Sequence, residues 1–213
     1  MTGRRLWIKV CGLGTPEAIA AAATAGADAV GFVFHEASPR NVRVDEARQL
    51  AAAVPAGVEK VAVFLHPSQA LVDAALAALQ PDWVQTDVED LATLRLPAAQ
   101  RALPVLRTGQ ASLDAQAEGL GSSRFLLESG RSGAAERADW GMAARLASRG
   151  QLVLAGGLDA ANVAAAIAAV RPFGVDVSSG VESSRGVKDP RAIHEFVRAA
   201  RAAEARLASS SVE

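Results

Sequence analysis

The sequence predicts one α/β domain, a (β/α)8 TIM barrel built on a parallel eight-stranded sheet. Three observations predict it. Short apolar runs alternate with helix-patterned segments along the whole chain, and eight such pairs can be counted. The runs are continuously apolar rather than alternating, as strands covered on both faces are. The interval from one run to the next is about 20–30 residues, the size of one strand-plus-helix unit. A doubly wound open sheet is the structural alternative, but it usually has fewer strands and a Gly-rich first turn.

The predicted strands cover residues 6–11, 29–34, 58–65, 83–86, 104–107, 125–128, 152–155 and 174–177. The first helix, 15–25, opens with Thr15 as N-cap and Pro16 at the first helical position. Segments 45–54, 68–79, 139–148, 159–170 and 189–205 share that habit, with Ser or Asp near each start. Two shorter helices are expected at 90–96 and 112–118. The domain is assigned to residues 1–207, followed by a frayed Ser-rich tail at 208–213.

Composition narrows the function. Half of the 213 residues are apolar, enough for a sizeable core, and 22 basic against 23 acidic residues give a formal net charge of −1. That balance argues against nucleic acid as a partner, which would call for a basic stripe. It leaves room for a small anionic ligand, because a phosphate site needs only a few backbone N–H groups and a cation. Lys9 interrupts the N-terminal apolar run, and Gly26 and Asp28 divide the Ala-rich stretch that follows, so neither a secretory signal nor a membrane span is expected. The expectation is a cytoplasmic protein. Cys11 is the single cysteine, so no intramolecular disulfide is possible. The three histidines, at 35, 66 and 194, are widely separated in sequence, and no metal site is expected. Nothing in the sequence sets an oligomeric state.

In this fold chemistry sits where strands end and loops begin. Cys11 closes the first strand in Ile-Lys-Val-Cys-Gly-Leu. A free cysteine is commonly a small buried hydrophobe. At a barrel mouth, though, a modest fall from its ordinary pKa of about 8.5 would make it a base or nucleophile at neutral pH. Glu128 closes the sixth strand after three apolar residues, where partial desolvation would raise its pKa as a general acid needs. Its bland alternative is a salt-bridged rim residue. Arg40 follows the second strand behind Pro39 and has the fork that grips carboxylate or phosphate. The seventh strand ends in Ala155-Gly156-Gly157-Leu158-Asp159, the eighth in Asp176-Val177-Ser178-Ser179-Gly180. Paired small-residue loops after the last two strands are where barrels commonly bind phosphate, which points to a phosphorylated small-molecule ligand.

Four segments together resemble the phosphoribosylanthranilate isomerase family of tryptophan biosynthesis. They are Ile8-Lys9-Val10-Cys11-Gly12-Leu13; Gly31-Phe32-Val33-Phe34 with Ser38-Pro39-Arg40; Leu154-Ala155-Gly156-Gly157-Leu158 with Asn162-Val163; and Val175-Asp176-Val177-Ser178-Ser179-Gly180-Val181-Glu182 with Gly186-Val187-Lys188-Asp189. The resemblance implies an Amadori rearrangement with no cofactor. It implies Cys11 as the base at C2′, Glu128 as the acid at the ring oxygen, and Arg40 on the anthranilate carboxylate. Gly156, Gly157, Ser179 and Gly180 would cradle the phosphate, and Asp176 would lie near the sugar hydroxyls.

Two positions depart from the family pattern. Its acid is usually Asp, where this chain has Glu128, and the Ser129-Gly130-Arg131-Ser132-Gly133 loop is expected to set the strand end back to compensate. Gln-Leu-His-Gly after the fourth strand becomes Gln85-Thr86-Asp87-Val88, which places an extra carboxylate near the mouth. Two other readings stand beside this one. A histidine-pathway Amadori isomerase usually relies on two aspartates, whereas the first strand here ends in Cys11. A phosphate-ligand-binding barrel without turnover would account for both departures.

Overall fold

A computed structural model describes residues 5–110, 112–129 and 139–210. Eight parallel strands close into a barrel in sequence order: β1 (Trp7–Cys11), β2 (Ala29–Phe34), β3 (Glu59–Phe64), β4 (Trp83–Asp87), β5 (Arg101–Arg107), β6 (Arg124–Glu128), β7 (Gln151–Leu154) and β8 (Gly174–Val177). The ring closes where β1 pairs with β8, with Trp7 opposite Gly174 and Lys9 opposite Asp176. The helices are α1 (Pro16–Ala25), α2 (Val44–Ala53), α3 (Gln69–Leu79), α4 (Val88–Leu91), α5 (Leu113–Leu120), α6 (Trp140–Ala147), α7 (Val163–Val170) and α8 (Pro190–Ser210). No described helix is long and apolar enough to cross a membrane.

The expected caps form where side chains satisfy the first free amides. Thr15 accepts from the Ala18 N–H ahead of α1, Ser68 from Leu71 ahead of α3, and Asp139 from Met142 ahead of α6. α7 starts later than the sequence suggested. Asp159 accepts from the amides of Ala161 and Asn162, and Asn162 accepts from Asp159 N and donates to the Gly157 carbonyl. These reciprocal bonds make a turn out of 159–162, and the helix begins at Val163. α8 takes in residues 208–210, which the sequence had assigned to a tail; 211–213 lie outside the described residues. A two-stranded hairpin, β9 (Glu182–Ser184) with β10 (Val187–Lys188), follows β8 and was not anticipated. It is short and mostly polar, with no apolar run to announce it.

Period-two alternation sorts the strand residues into two cores. Outward residues such as Ile8, Val30, Phe32, Phe125 and Val175 meet the helices. Inward residues, among them Ala29, Val61, Leu103, Leu126 and Val153, fill the barrel. The N-terminal end is plugged. The Arg124 guanidinium lies 4.7 Å from the Trp7 ring, 4.5 Å from Trp83 and 4.3 Å from Phe173. Glu59 accepts from Trp7 Nε1 at 3.0 Å and pairs with Arg101 at 3.0 Å. Cation–π contact and ion pairing therefore seal this end, and the C-terminal end is left as the open mouth.

Candidate active site

The alternation that turns Trp7 into the barrel also turns in Lys9 and Cys11 from the same strand. Cys11 closes β1 and lines a cavity of about 220 Å³ at the mouth, together with Arg40, Gln85, Glu128, Asp176 and Arg185. Space for the thiol comes from β2. A Cβ on Gly31 would stand 2.9 Å from the Cys11 sulfur and 3.1 Å from Lys9 Cε, so a larger residue there would displace both. Lys9 is fully buried, and its Nζ donates to Asp176 Oδ1 at 2.8 Å. An unpaired ammonium at that depth would be very unfavourable. Burial favours the neutral amine, but the Asp176 carboxylate and the Cys11 sulfur more than reverse this and raise the Lys9 pKa.

The sequence expectation for the thiol needs correction. Burial pushes the Cys11 pKa up, the Lys9 charge pulls it down, and Asp176 adds to the rise, with a net upward shift. The reason is depth: a thiolate held by the inner wall of a barrel loses its water. Lys9 and Lys188 are the cations that work against that loss.

Glu128 also faces inward, across the mouth, and borders both this cavity and a smaller recess beside it. Arg107 Nη1 donates to its Oε2 at 3.1 Å. The same guanidinium donates through Nη2 and Nε to the two Asp87 oxygens, at 2.7 and 3.2 Å. Arg107, which the sequence reading passed over, thus bridges the extra carboxylate at the end of β4 to the one at the end of β6. Asp87 is a buried anchor for Arg107 and not a free charge at the rim. Of the loop expected to set back Glu128, residues 130–133 lie outside the described residues.

Arg40 does not stand free. Its Nε and Nη2 donate to the two Glu182 oxygens at 2.6 and 3.0 Å, which leaves Nη1 unengaged among the described residues. Lys188 Nζ reaches the same carboxylate at 2.8 Å and the Ser178 carbonyl at 2.8 Å. All three side chains are nearly out of solvent, at 10 %, 5 % and 3 % exposure for Arg40, Glu182 and Lys188. Burial by itself would raise the Glu182 carboxyl, but Arg40, Lys188 and the Gly186 amide bring it down to about 2. The folded state therefore holds this carboxyl below its ordinary 4.5, and the stability it contributes is complete above that value and lost as pH falls toward 2. Glu182→Gln is expected to cost about 3–5 kcal/mol at pH 7, because two buried cations lose their counter-charge. Urea unfolding at pH 7 and again near pH 3 checks this, and the gap between variant and parent should shrink at the lower pH.

Gly156, Gly157 and Ser179 line the smaller recess between the last two units, with Ser178 and Asp176. Gly156 and Gly157 have φ of 88° and 60°, a region glycine enters without strain. Gly180 supports the recess from behind: its α-carbon faces the Leu158 carbonyl so closely that a Cβ would come within 1.9 Å of the oxygen. Ser178 Oγ donates to the Cys11 carbonyl at 3.2 Å and so joins this wall to the thiol. Seven of the eight residues expected from sequence thus line two adjoining spaces: Cys11, Arg40, Glu128 and Asp176, with Gly156, Gly157 and Ser179.

The fold also brings His66 close to Asp87 and Asp90, within 4.8 Å, although the sequence suggested no such cluster. Each member is already occupied. His66 pairs with Asp90 at 3.0 Å, Thr86 donates to Asp90 at 2.7 Å, and Asp87 holds Arg107. An inward thiol, an inward carboxyl and a glycine-lined anion recess can together move two protons on a ligand tethered by a phosphate.

The family model for N-(5′-phosphoribosyl)anthranilate isomerase matches residues 8–199 of this chain. The N-(5′-phosphoribosyl)anthranilate isomerase of Pelobacter propionicus is 37 % identical over 198 residues, covering 91 % of this chain and 95 % of that protein. The enzyme of the same name from Azorhizobium caulinodans is 40 % identical over 213 residues, covering 93 % and 92 %. Among solved structures, phosphoribosyl anthranilate isomerase in complex with reduced 1-(o-carboxyphenylamino)-1-deoxyribulose 5-phosphate superposes with a TM-score of 0.81 at 30 % identity, covering 93 % of this chain and all of that one.

Proposed function

The chain belongs to the N-(5′-phosphoribosyl)anthranilate isomerase family, and from that premise we propose that Cys11 and Glu128 carry the two proton transfers of its reaction. It is an isomerase of tryptophan biosynthesis, and the reaction is the Amadori rearrangement of N-(5′-phosphoribosyl)anthranilate to 1-(2-carboxyphenylamino)-1-deoxyribulose 5-phosphate.

In this reading Glu128 gives its proton to the ribose ring oxygen as the bond from that oxygen to C1′ breaks. The nitrogen lone pair closes onto C1′ and leaves a protonated Schiff base. The Cys11 thiolate then takes the proton from C2′, the electrons run to nitrogen, and the enolamine relaxes to the ketone. The substrate's own nitrogen serves as the electron sink. The phosphate sits in the recess lined by Gly156, Gly157 and Ser179, with Gly180 shaping the loop, and binding energy there orients the distant reacting carbons. Arg40 offers Nη1 to the anthranilate carboxylate, and Asp176 stands beside the sugar. The buried Lys9 keeps the Cys11 thiolate accessible against the pull of desolvation. A cytoplasmic setting belongs to the same reading.

The observation that carries it is the placement of Cys11 and Glu128 in the wall of one cavity, with the glycine-lined recess opening beside Glu128. The test is a fluorescence assay. Purified protein supplied with freshly formed N-(5′-phosphoribosyl)anthranilate should abolish the anthranilate-type fluorescence at a saturable rate. A rate equal to that without protein would refute the assignment.

A further inference from the structure

The wall of the main cavity carries a second arginine, Arg185, at the turn of the β9–β10 hairpin. Arg40 has given two of its three nitrogens to Glu182, which leaves it Nη1 alone for a ligand. Arg185 has no ion pair or hydrogen bond with any described residue, and it is exposed to the cavity mouth. Its backbone is nonetheless well seated. The Gly186 amide donates to Glu182 Oε2 at 3.0 Å, Ser183 Oγ to the Val187 carbonyl at 3.4 Å, and Lys188 ties the hairpin to Ser178. A fixed base with an unpaired guanidinium is the arrangement of an anion clamp.

Position decides which anion. Arg185 borders the space that also has Val33, Pro39 and Leu65 in its wall, an apolar surface suited to a flat ring. It does not border the recess formed by Gly156, Gly157 and Ser179. We infer that Arg185 is a specificity-determining residue that pairs with the ring carboxylate of the substrate and supplies the free two-nitrogen fork that Arg40, held by Glu182, lacks. The inference rests on the isomerase reading above. A guanidinium meets a carboxylate through two parallel N–H bonds, so Arg185 selects for an ortho-carboxylated ring over a bare one.

The experiment measures affinities of the parent and of Arg185→Gln for three ligands: the reduced product analogue, its counterpart without the ring carboxyl, and its counterpart without the phosphate. Arg185→Gln is expected to weaken both carboxylated ligands by about tenfold, and to leave the carboxyl-free ligand unchanged. An equal loss for all three, a loss confined to the two phosphorylated ligands, or no loss would each overturn the inference. Arg185 makes no hydrogen bond or ion pair with a described residue, so an unchanged thermal midpoint is expected and shows that the variant is folded. Turnover by the parent separates the two levels. If the parent isomerises N-(5′-phosphoribosyl)anthranilate while Arg185→Gln fails to weaken the carboxylated ligands selectively, only this inference falls. If the parent has no turnover, the functional reading beneath it falls as well.

Discussion

Cys11→Ala is expected to lower kcat by about 10²–10⁴-fold, the range that a positioned general base contributes. Binding of the reduced product analogue should be nearly unchanged, since the alanine removes a proton acceptor and not the phosphate or carboxylate contacts. The pH dependence carries more information than the drop. Burial raises the thiol, so the rising limb of kcat/KM, read in Glu128→Gln where that carboxyl no longer titrates, should extend above the ordinary thiol range. Lys9→Met should push that limb further toward alkaline pH, because it removes the cation that favours the thiolate and leaves Asp176 to oppose it. The same variant strands a buried carboxylate at a cost of about 3–5 kcal/mol. Lys9→Met/Asp176→Asn, with both charges gone, should recover much of that stability and serve as the folded control.

Glu128→Gln has the second large expected effect, again about 10²–10⁴-fold in kcat from the loss of a proton donor. Glu128→Asp asks a finer question. Arg107, anchored on Asp87, meets the glutamate at Oε2, so the carboxyl is fitted to the longer side chain. Withdrawing it by one methylene should cost up to about 10²-fold, the usual penalty for a displacement of about 1 Å. Turnover above the parent level would mean that Glu128 is a poor acid here and that the chain is a catalytically impaired barrel. Steady-state kinetics on the two variants decide between these outcomes.

Strand positions were legible because barrel strands are covered on both faces and read as unbroken apolar runs; β2 and β8 begin and end where the sequence placed them. Caps such as Thr15 and Ser68 were legible because their chemistry is local. The start of α7 was not, since the Asp159–Asn162 bonds that replace the first helical turn are reciprocal and could equally have been read as a cap. At the site, Cys11, Glu128 and the two glycine loops could be found from their place at strand ends. Lys9 was read only as a break in an apolar run. Its two-residue offset from Cys11 was the available signal, since it places both on the inward face. Arg107 ends β5 as Glu128 ends β6, but its link to Asp87 depends on the register across three neighbouring strands. The upward shift of the thiol depends on burial depth, which sequence position alone does not give.

The central claim is that one thiol and one carboxyl divide the proton transfers at the barrel mouth. Its most direct test is the pH profile of kcat/KM for the parent, Cys11→Ala and Glu128→Gln on the same substrate. The expected result is a bell for the parent, with the ascending limb missing in the cysteine variant and the descending limb missing in the glutamate variant. Two variants that both keep the parental profile would contradict it.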